Sequence, residues 1–233
     1  MTNQPIGIIG AMAPEVEILL GEMTIDDTQT IAHATFHKGT LNNTPVVLAR
    51  SGIGKVNAAM ITTILLHHYN AGMVINTGVA GSLSESVNVT DIVVSTHVLH
   101  HDVDAVNFNY ELGQVPGMPR AFVSPEQLVE DTLLAINSNL DVAASSGLIV
   151  SGDSFIGDQE AKSTIVSNFG DSLAVDMESA SIAQVCYQFN VPFIIIRSIS
   201  DNANDHAEMK YDEFLEIACI NSSNVVKLLL NNM

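Results

Sequence analysis

Glu178, Arg197 and Asp201 are polar residues set at the ends of apolar runs. Glu178 follows the run that ends at Val175, and Arg197, Ser200 and Asp201 follow the unbroken run Phe193 to Ile196. In an open α/β sheet, ligands bind outside the carboxyl ends of the strands. Residues just past neighbouring strands therefore meet, and two carboxylates with a guanidinium point to acid/base chemistry on a small polar molecule. Glu15, soon after the short apolar run Ile6 to Ile9, joins them on the same reasoning. Singly, each has a plain structural role. Glu15 is a first-turn carboxylate favoured by the helix dipole, Glu178 a helix-start acid, Asp201 a turn cap and Arg197 a buried counter-ion. Their common place after central strands is what favours a site.

The elements that must hold these groups alternate. Pro14 suits the first turn of a helix running to about Met23. Gln29 to Lys38 and Pro45 to Arg50 read as strands joined by an Asn42-Asn43 hairpin turn. A helix with apolar Val56, Ala59, Met60 and Ile64 follows Ser51-Gly52-Ile53-Gly54-Lys55. Met73 to Ile75 and Ile92 to Thr96 are strands, and Leu99 to Pro119 is a long irregular loop, a kind usually functional or interfacial. Ser124-Pro125-Glu126-Gln127 starts a helix with a capping Ser, Leu148 to Val150 is a strand, and Gln159 to Asn168 is helical. Ile182, Cys186 and Phe189 form a helix face stopped by Asn190, and Pro192 precedes a last strand. Tyr211 to Leu230 is a final helix. The pattern predicts one three-layer α/β/α domain over residues 1–233 with a mixed central sheet.

Composition narrows the partners. The chain has 233 residues, 26 acidic against 8 Lys plus Arg, and a formal charge of -18. Such a surface repels nucleic-acid backbones and anionic membranes. The two cysteines fall on helical patterns and read as buried thiols of a reducing cytoplasm. MTNQPIGIIG lacks the basic and long apolar regions of a signal peptide, and no apolar run approaches the roughly twenty residues of a spanning helix. A soluble cytoplasmic protein is expected. Gly52-Ile53-Gly54-Lys55 has the wrong spacing for a phosphate loop, and Gly7…Gly10 lacks the dinucleotide fingerprint. These glycines read as tight turns, unless something must approach the backbone closely. His97, His100, His101, Asp102 and Asp104 have no metal-ligand spacing and read as polar residues of an exposed loop. Neither metal nor cofactor is expected.

The stretches GIIGAM with Glu15 close behind, SGIGKVNAA, NTGVAGS, GQVPG, SGDSFI, VDMESASIAQVC, RSISD and YDEFL run the length of the chain. In this order and spacing they resemble the 5′-methylthioadenosine/S-adenosylhomocysteine nucleosidases of the nucleoside phosphorylase fold family. The resemblance implies irreversible hydrolysis of the N-glycosidic bond of thioadenosine nucleosides, in methionine salvage and the methyl cycle. It also implies adenine and a thioribose sugar as products, and a homodimer whose partner loop closes the thioalkyl pocket. By position, Asp201 is implied as the acid that protonates adenine N7, with Ser200 supporting it. Glu15 is implied as the base that activates water, and Glu178 as the holder of the ribose 2′-hydroxyl, beside Met177. The resemblance further implies that Ile156 meets adenine through its backbone, that Phe155 stacks on it, and that Arg197 helps fix the water and the carboxylates. Gly81 and Ala80 line the site, and Met12, Ile53 and Tyr211 flank the ribose and thioalkyl end. Phe108 and Pro116 are implied to reach into the partner's site. Val79 stands where relatives often carry Ser, and Ala13-Pro14 replaces acidic residues before Glu15.

Cleavage builds oxocarbenium-like positive charge on the sugar and negative charge on the base. An acid must release adenine as a neutral molecule, and a carboxylate beside the sugar favours the cationic transition state. On this scheme Asp201 donates, Glu15 accepts and Glu178 stays charged. A purine nucleoside phosphorylase is the nearest alternative, but it must bind a phosphate dianion, usually with several arginines or a backbone nest. One arginine beside Glu15 leaves no net charge for that anion. A non-catalytic nucleoside-binding or storage protein is the second alternative, and mere binding has no need of a water activator.

Overall fold

The computed structural model describes residues 4–204 and 207–232, so the reading of the N-terminus as leaderless falls partly on residues 1–3, outside them. The elements in order are β1 (Ile6–Gly10), α1 (Ala13–Glu22), β2 (Thr24–Ile31), β3 (Ala34–Leu41), β4 (Thr44–Arg50) and α2 (Lys55–His67). Next come β5 (Met73–Ser82), β6 (Ile92–His100), a single 3-10 turn (Val106–Phe108), β7 (Phe122–Val123), α3 (Glu126–Asn139) and β8 (Ala144–Ser151). The chain continues with α4 (Gln159–Asn168), β9 (Ser172–Asp176), α5 (Ser179–Phe189), β10 (Phe193–Asp201) and α6 (Ala207–Asn231). No helix among the described residues is long and apolar enough to cross a membrane.

The central sheet is mixed, as expected, and helices cover both faces. Side chains alternate across each strand. Ile8, Leu48, Ile75 and Ile194 pack with Leu19, Ile136, Val226 and Leu229 of α1, α3 and α6. Their neighbours Ile9, Val47, Val74 and Ile195 pack with Ile61, Leu65, Ile182 and Cys186 of α2 and α5. Continuous apolar runs are what such two-sided burial requires.

Half of the sheet closes on itself, which hydrophobic patterning cannot show. β5 pairs with β10 in parallel, β10 with β6 antiparallel, β6 with β8 and β8 with β9 in parallel, and β9 returns to β5 antiparallel. From this ring the sheet runs outward through β1, β4, β3 and β2. The last strand is exposed along most of its length and carries Asp26 and Asp27, charges that discourage further pairing at an edge.

Several local expectations are corrected. Gln29 to Lys38 is two strands, not one, because Ala32 takes φ 54° and turns the chain between β2 and β3. The Asn42-Asn43 turn is present, with φ 52° and 63°, as a right-twisted hairpin demands. In α2 the buried face is Ala58, Ile61, Thr62, Leu65 and Leu66, whereas Val56 is 78% exposed. Ser124 does not cap α3; its hydroxyl instead meets that of buried Ser95 at 2.8 Å. His100 is no exposed loop residue but a buried member of β6, bonded to Gln184 at 2.9 Å. Arg197 lies inside β10 rather than past it, because a buried carboxylate pairs with it there.

Candidate active site

Glu15 is the third residue of α1, with its carboxylate turned back over the helix start. Oε2 accepts from the backbone N–H groups of Ala11 (2.6 Å) and Met12 (2.8 Å), and Oε1 accepts from Val79 N–H (3.1 Å). The bond from Met12 is half of a capping box. A carboxylate oxygen has about two acceptor sites, so Oε2 is filled and Oε1 keeps one free. Gly78 makes this placement possible, since a Cβ there would stand 2.4 Å from Oε1. Burial pushes the Glu15 carboxyl above its usual range, against the field of Arg197 and the three N–H bonds. Val79 supplies its backbone donor, and its side chain packs with Ala218 and Cys219 of α6.

Glu178 stands at the start of α5. Its Oε1 accepts from Gly54 N–H at 2.9 Å, and Oε2 lies 4.0 Å from the Arg197 guanidinium. Gly54 holds φ 97°, a left-handed backbone favoured by glycine, and so aims its N–H at the carboxylate. The close backbone approach is thus made by a side chain of the protein itself. Burial and the neighbouring Asp176 raise the Glu178 carboxyl to about 7, while Arg197 and Gly54 pull the other way.

Asp201 closes β10. A register shift between Ile199 and Asp201 sets it opposite Gly81 of β5, and bulges of this kind re-aim side chains. Its Oδ1 accepts from Ala203 N–H (2.8 Å) and its Oδ2 from the Ser200 hydroxyl (2.8 Å). Burial raises its carboxyl above the usual range, opposed by those two bonds and by Lys162.

Beneath these groups lies a buried polar network that the sequence reading missed. Asp176 accepts from Arg197 Nε at 2.8 Å, from the Ser151 hydroxyl at 2.5 Å and from the Ser179 hydroxyl. Arg197 also donates to Asn76 Oδ1 (2.6 Å) and Ser179 Oγ (3.0 Å), and Asn76 in turn donates to the Ile9 carbonyl (2.9 Å). The signal in the sequence was the acid two residues before Glu178, at the end of a strand.

A cavity of about 590 Å³ opens over this floor. Glu15, Glu178, Asp201, Met12, Ile53, Ala80, Gly81, Phe155, Ile156, Met177, Ser200 and Tyr211 all line it, together with residues not anticipated, among them Ser154, Glu208 and Asp212. Tyr211 reaches Met12 through its hydroxyl (3.0 Å to Sδ) and meets the Phe155 ring edge-on at 6.1 Å. Arg197 does not line the cavity; it sits behind the wall, held by Asp176 and Asn76, and acts on Glu15 and Glu178 through its field. Phe108 and Pro116 lie outside this chain's own cavity, and Phe108 is 77% exposed. Asp102, read from the sequence as a polar loop residue, pairs with Lys55 at 2.6 Å.

Comparison with known proteins agrees along the whole chain. A family model for the phosphorylase superfamily matches residues 5–231. A 5′-methylthioadenosine/S-adenosylhomocysteine nucleosidase of Staphylococcus aureus (strain MRSA252) is 48% identical over 228 residues, 98% of this chain and 100% of that protein. Among solved structures, the Neisseria meningitidis nucleosidase of that name, in complex with methylthio-immucillin-A, is 40% identical with a TM-score of 0.96 over 99% of this chain and 100% of that one. The Colwellia psychrerythraea nucleosidase in complex with adenine is 43% identical with a TM-score of 0.94, covering 97% and 94%. With Glu15, Glu178 and Asp201 buried around one cavity and full-length similarity of this kind, the chain belongs to the 5′-methylthioadenosine/S-adenosylhomocysteine nucleosidases of the phosphorylase superfamily.

Proposed function

We propose that the chain hydrolyses the N-glycosidic bond of 5′-methylthioadenosine and S-adenosylhomocysteine, releasing adenine and the thioribose sugar. The observation that carries water over phosphate is the occupation of the backbone donors. Ala11, Met12 and Val79 present three N–H groups to one point, an arrangement suited to an anion. The carboxylate of Glu15 already fills it. A phosphate dianion would meet a buried acid there, whereas a water can donate to the free site on Oε1.

The roles follow from the proton affinities and the geometry. Asp201, raised by burial, carries the proton that adenine N7 takes as the bond breaks. Glu178 holds the ribose hydroxyl, and positive charge growing on the sugar draws it toward its ionised form. Glu15, raised by burial, accepts the proton of the attacking water. The hydrolytic reaction is proposed to use no cofactor or metal, and its substrates are small thioadenosine nucleosides, not nucleic acid. Residues 1–233 act as one catalytic domain.

A homodimer in the cytoplasm completes the reading. Its support is a set of exposed apolar side chains: Val56 on α2, Tyr187 on α5, Val123 on β7, and Val106 and Phe108 on the 3-10 turn. α2 packs on α5 and α5 on β7, which brings three of these elements to one side. Phe108 and Pro116 are the residues proposed to reach the partner's cavity. Adenine release from 5′-methylthioadenosine is expected at full rate in phosphate-free buffer; release that appears only when phosphate is added would make the enzyme a phosphorylase.

A further inference from the structure

The last pair between β5 and β10 is Gly81 with Asp201, and the pairing there is irregular. A bulged strand end frays easily unless something beyond it holds the chain. β9 holds the end of β5 by pairing at Gly81 and Ser82, and one side chain ties that end to the chain leaving β10. Lys162 of α4 donates through Nζ to the carbonyl of Ser82 (2.9 Å) and to the carbonyl of Asn202 (2.8 Å). Each carbonyl is one residue past the bulged pair, Ser82 as the last residue of β5 and Asn202 just beyond β10. Asn202 also lies between Asp201 and Ala203, whose N–H binds Asp201 Oδ1. The clamp therefore sets the loop that holds the acid.

We propose that Lys162 is a positioning residue for the leaving-group acid, clamping the ends of β5 and β10 and supplying the cation that faces Asp201. The inference rests on Asp201 being that acid. Lys162 does not line the cavity and touches no reacting atom. Among the described residues, the charged groups acting on it are Asp201 from β10 and Glu85 from the segment after β5. Those acting on Asp201 are Lys162, the Ser200 hydroxyl and the Ala203 N–H, while burial opposes all three. Lys162 favours the ionised form of Asp201, so its removal lets Asp201 hold the proton to higher pH.

The test is the pH profile of 5′-methylthioadenosine hydrolysis in three variants. Lys162→Met is expected to lose roughly 10- to 100-fold in kcat with a much smaller change in KM, the size of effect that misplacement of a reacting group produces. Its descending alkaline limb should move to higher pH. Lys162→Gln keeps a donor without the charge; it should shift the limb likewise and lose less kcat. Lys162→Arg should return the limb to its wild-type position. If Lys162→Met does not fold, the Gln and Arg variants carry the same comparison. A limb that stays at the wild-type pH in the uncharged variants, whatever happens to melting temperature, overturns the proposal. Wild-type adenine release and its collapse in Asp201→Asn test the hydrolase reading separately, so either can fail alone.

Discussion

Glu15, Glu178 and Asp201 share one cavity in a chain whose net charge is -18, and each is buried. Burial alone would hold all three protonated; their partners set them apart. Glu15 takes three N–H bonds, Glu178 one N–H bond and a distant guanidinium, and Asp201 one N–H and one hydroxyl. Replacing Asp201 by Asn removes the transferable proton and should cost at least about two orders of magnitude in adenine release. Retention of most activity would remove it from the acid role. Glu178 makes a different prediction, on stability. Its folded carboxyl titrates at about 7 against 4.5 in a free side chain. Between those values the folded chain holds a proton that the unfolded chain has released, so this contribution to stability fades as pH rises and is gone above about 7. Glu15 and Asp201, both raised, act with the same sign. Glu178→Gln should therefore flatten the fall in melting temperature between pH 5 and 8, and an unchanged slope would count against a shared proton. At this scale the sequence was informative about charged residues in apolar settings. It said little of which donors each would find, because those come from Ala11, Gly54, Val79 and Ala203, whose side chains carry no sign of it.

At the scale of elements, the site depends on strands longer than their apolar runs. β5 and β10 continue beyond Ile75 and Ile196, and their inner polar members, Asn76 and Arg197, bond to each other across the sheet. A run of hydrophobic residues marks a strand only while nothing polar is satisfied inside it, so patterning stops short here. Helix α2 was misread by a fraction of a turn for a related reason: Val56 is apolar yet faces outward, and Thr62 is polar yet buried through its bond to the Ala58 carbonyl (2.7 Å). The turn residues Asn42, Asn43 and Asn190 were legible, since positive φ values suit Asn. Within β5 the absence of a side chain at Gly78 is as specific as any functional group. Gly78→Ala would drive a methyl into the Glu15 carboxylate. Hydrolysis should fall by roughly 100-fold, as expected when a reacting group is displaced by about 1 Å, while adenine binding measured by calorimetry is kept. Normal turnover in this variant would show that Glu15 need not hold its observed position.

For the whole molecule, the exposed apolar residues of the 3-10 turn, α2 and β7 bear on assembly. Phe108→Asp places a charge on a side chain proposed to enter a partner's cavity. Light scattering should then move from twice the chain mass toward the chain mass, and KM for 5′-methylthioadenosine should rise as the thioalkyl end opens. A wild-type chain that runs as a monomer would end the dimer reading. The mixed α/β class and its layers were legible because alternating strands and helices leave few alternatives. Ring closure was not, since Val74 pairs with Phe193 and Gly81 with Asp201 across more than half the chain. That closure has a consequence in time. Contacts so distant in sequence form late, after the entropy of closing the long intervening loop has been overcome. β10 is also among the last elements to leave a ribosome, and it carries the acid at its final residue. The outer hairpins β2–β3 and β3–β4 pair neighbours and can form early, without any part of the site. A refolding chain should therefore regain part of its strand signal before it regains catalysis, and activity marks the closing of the ring.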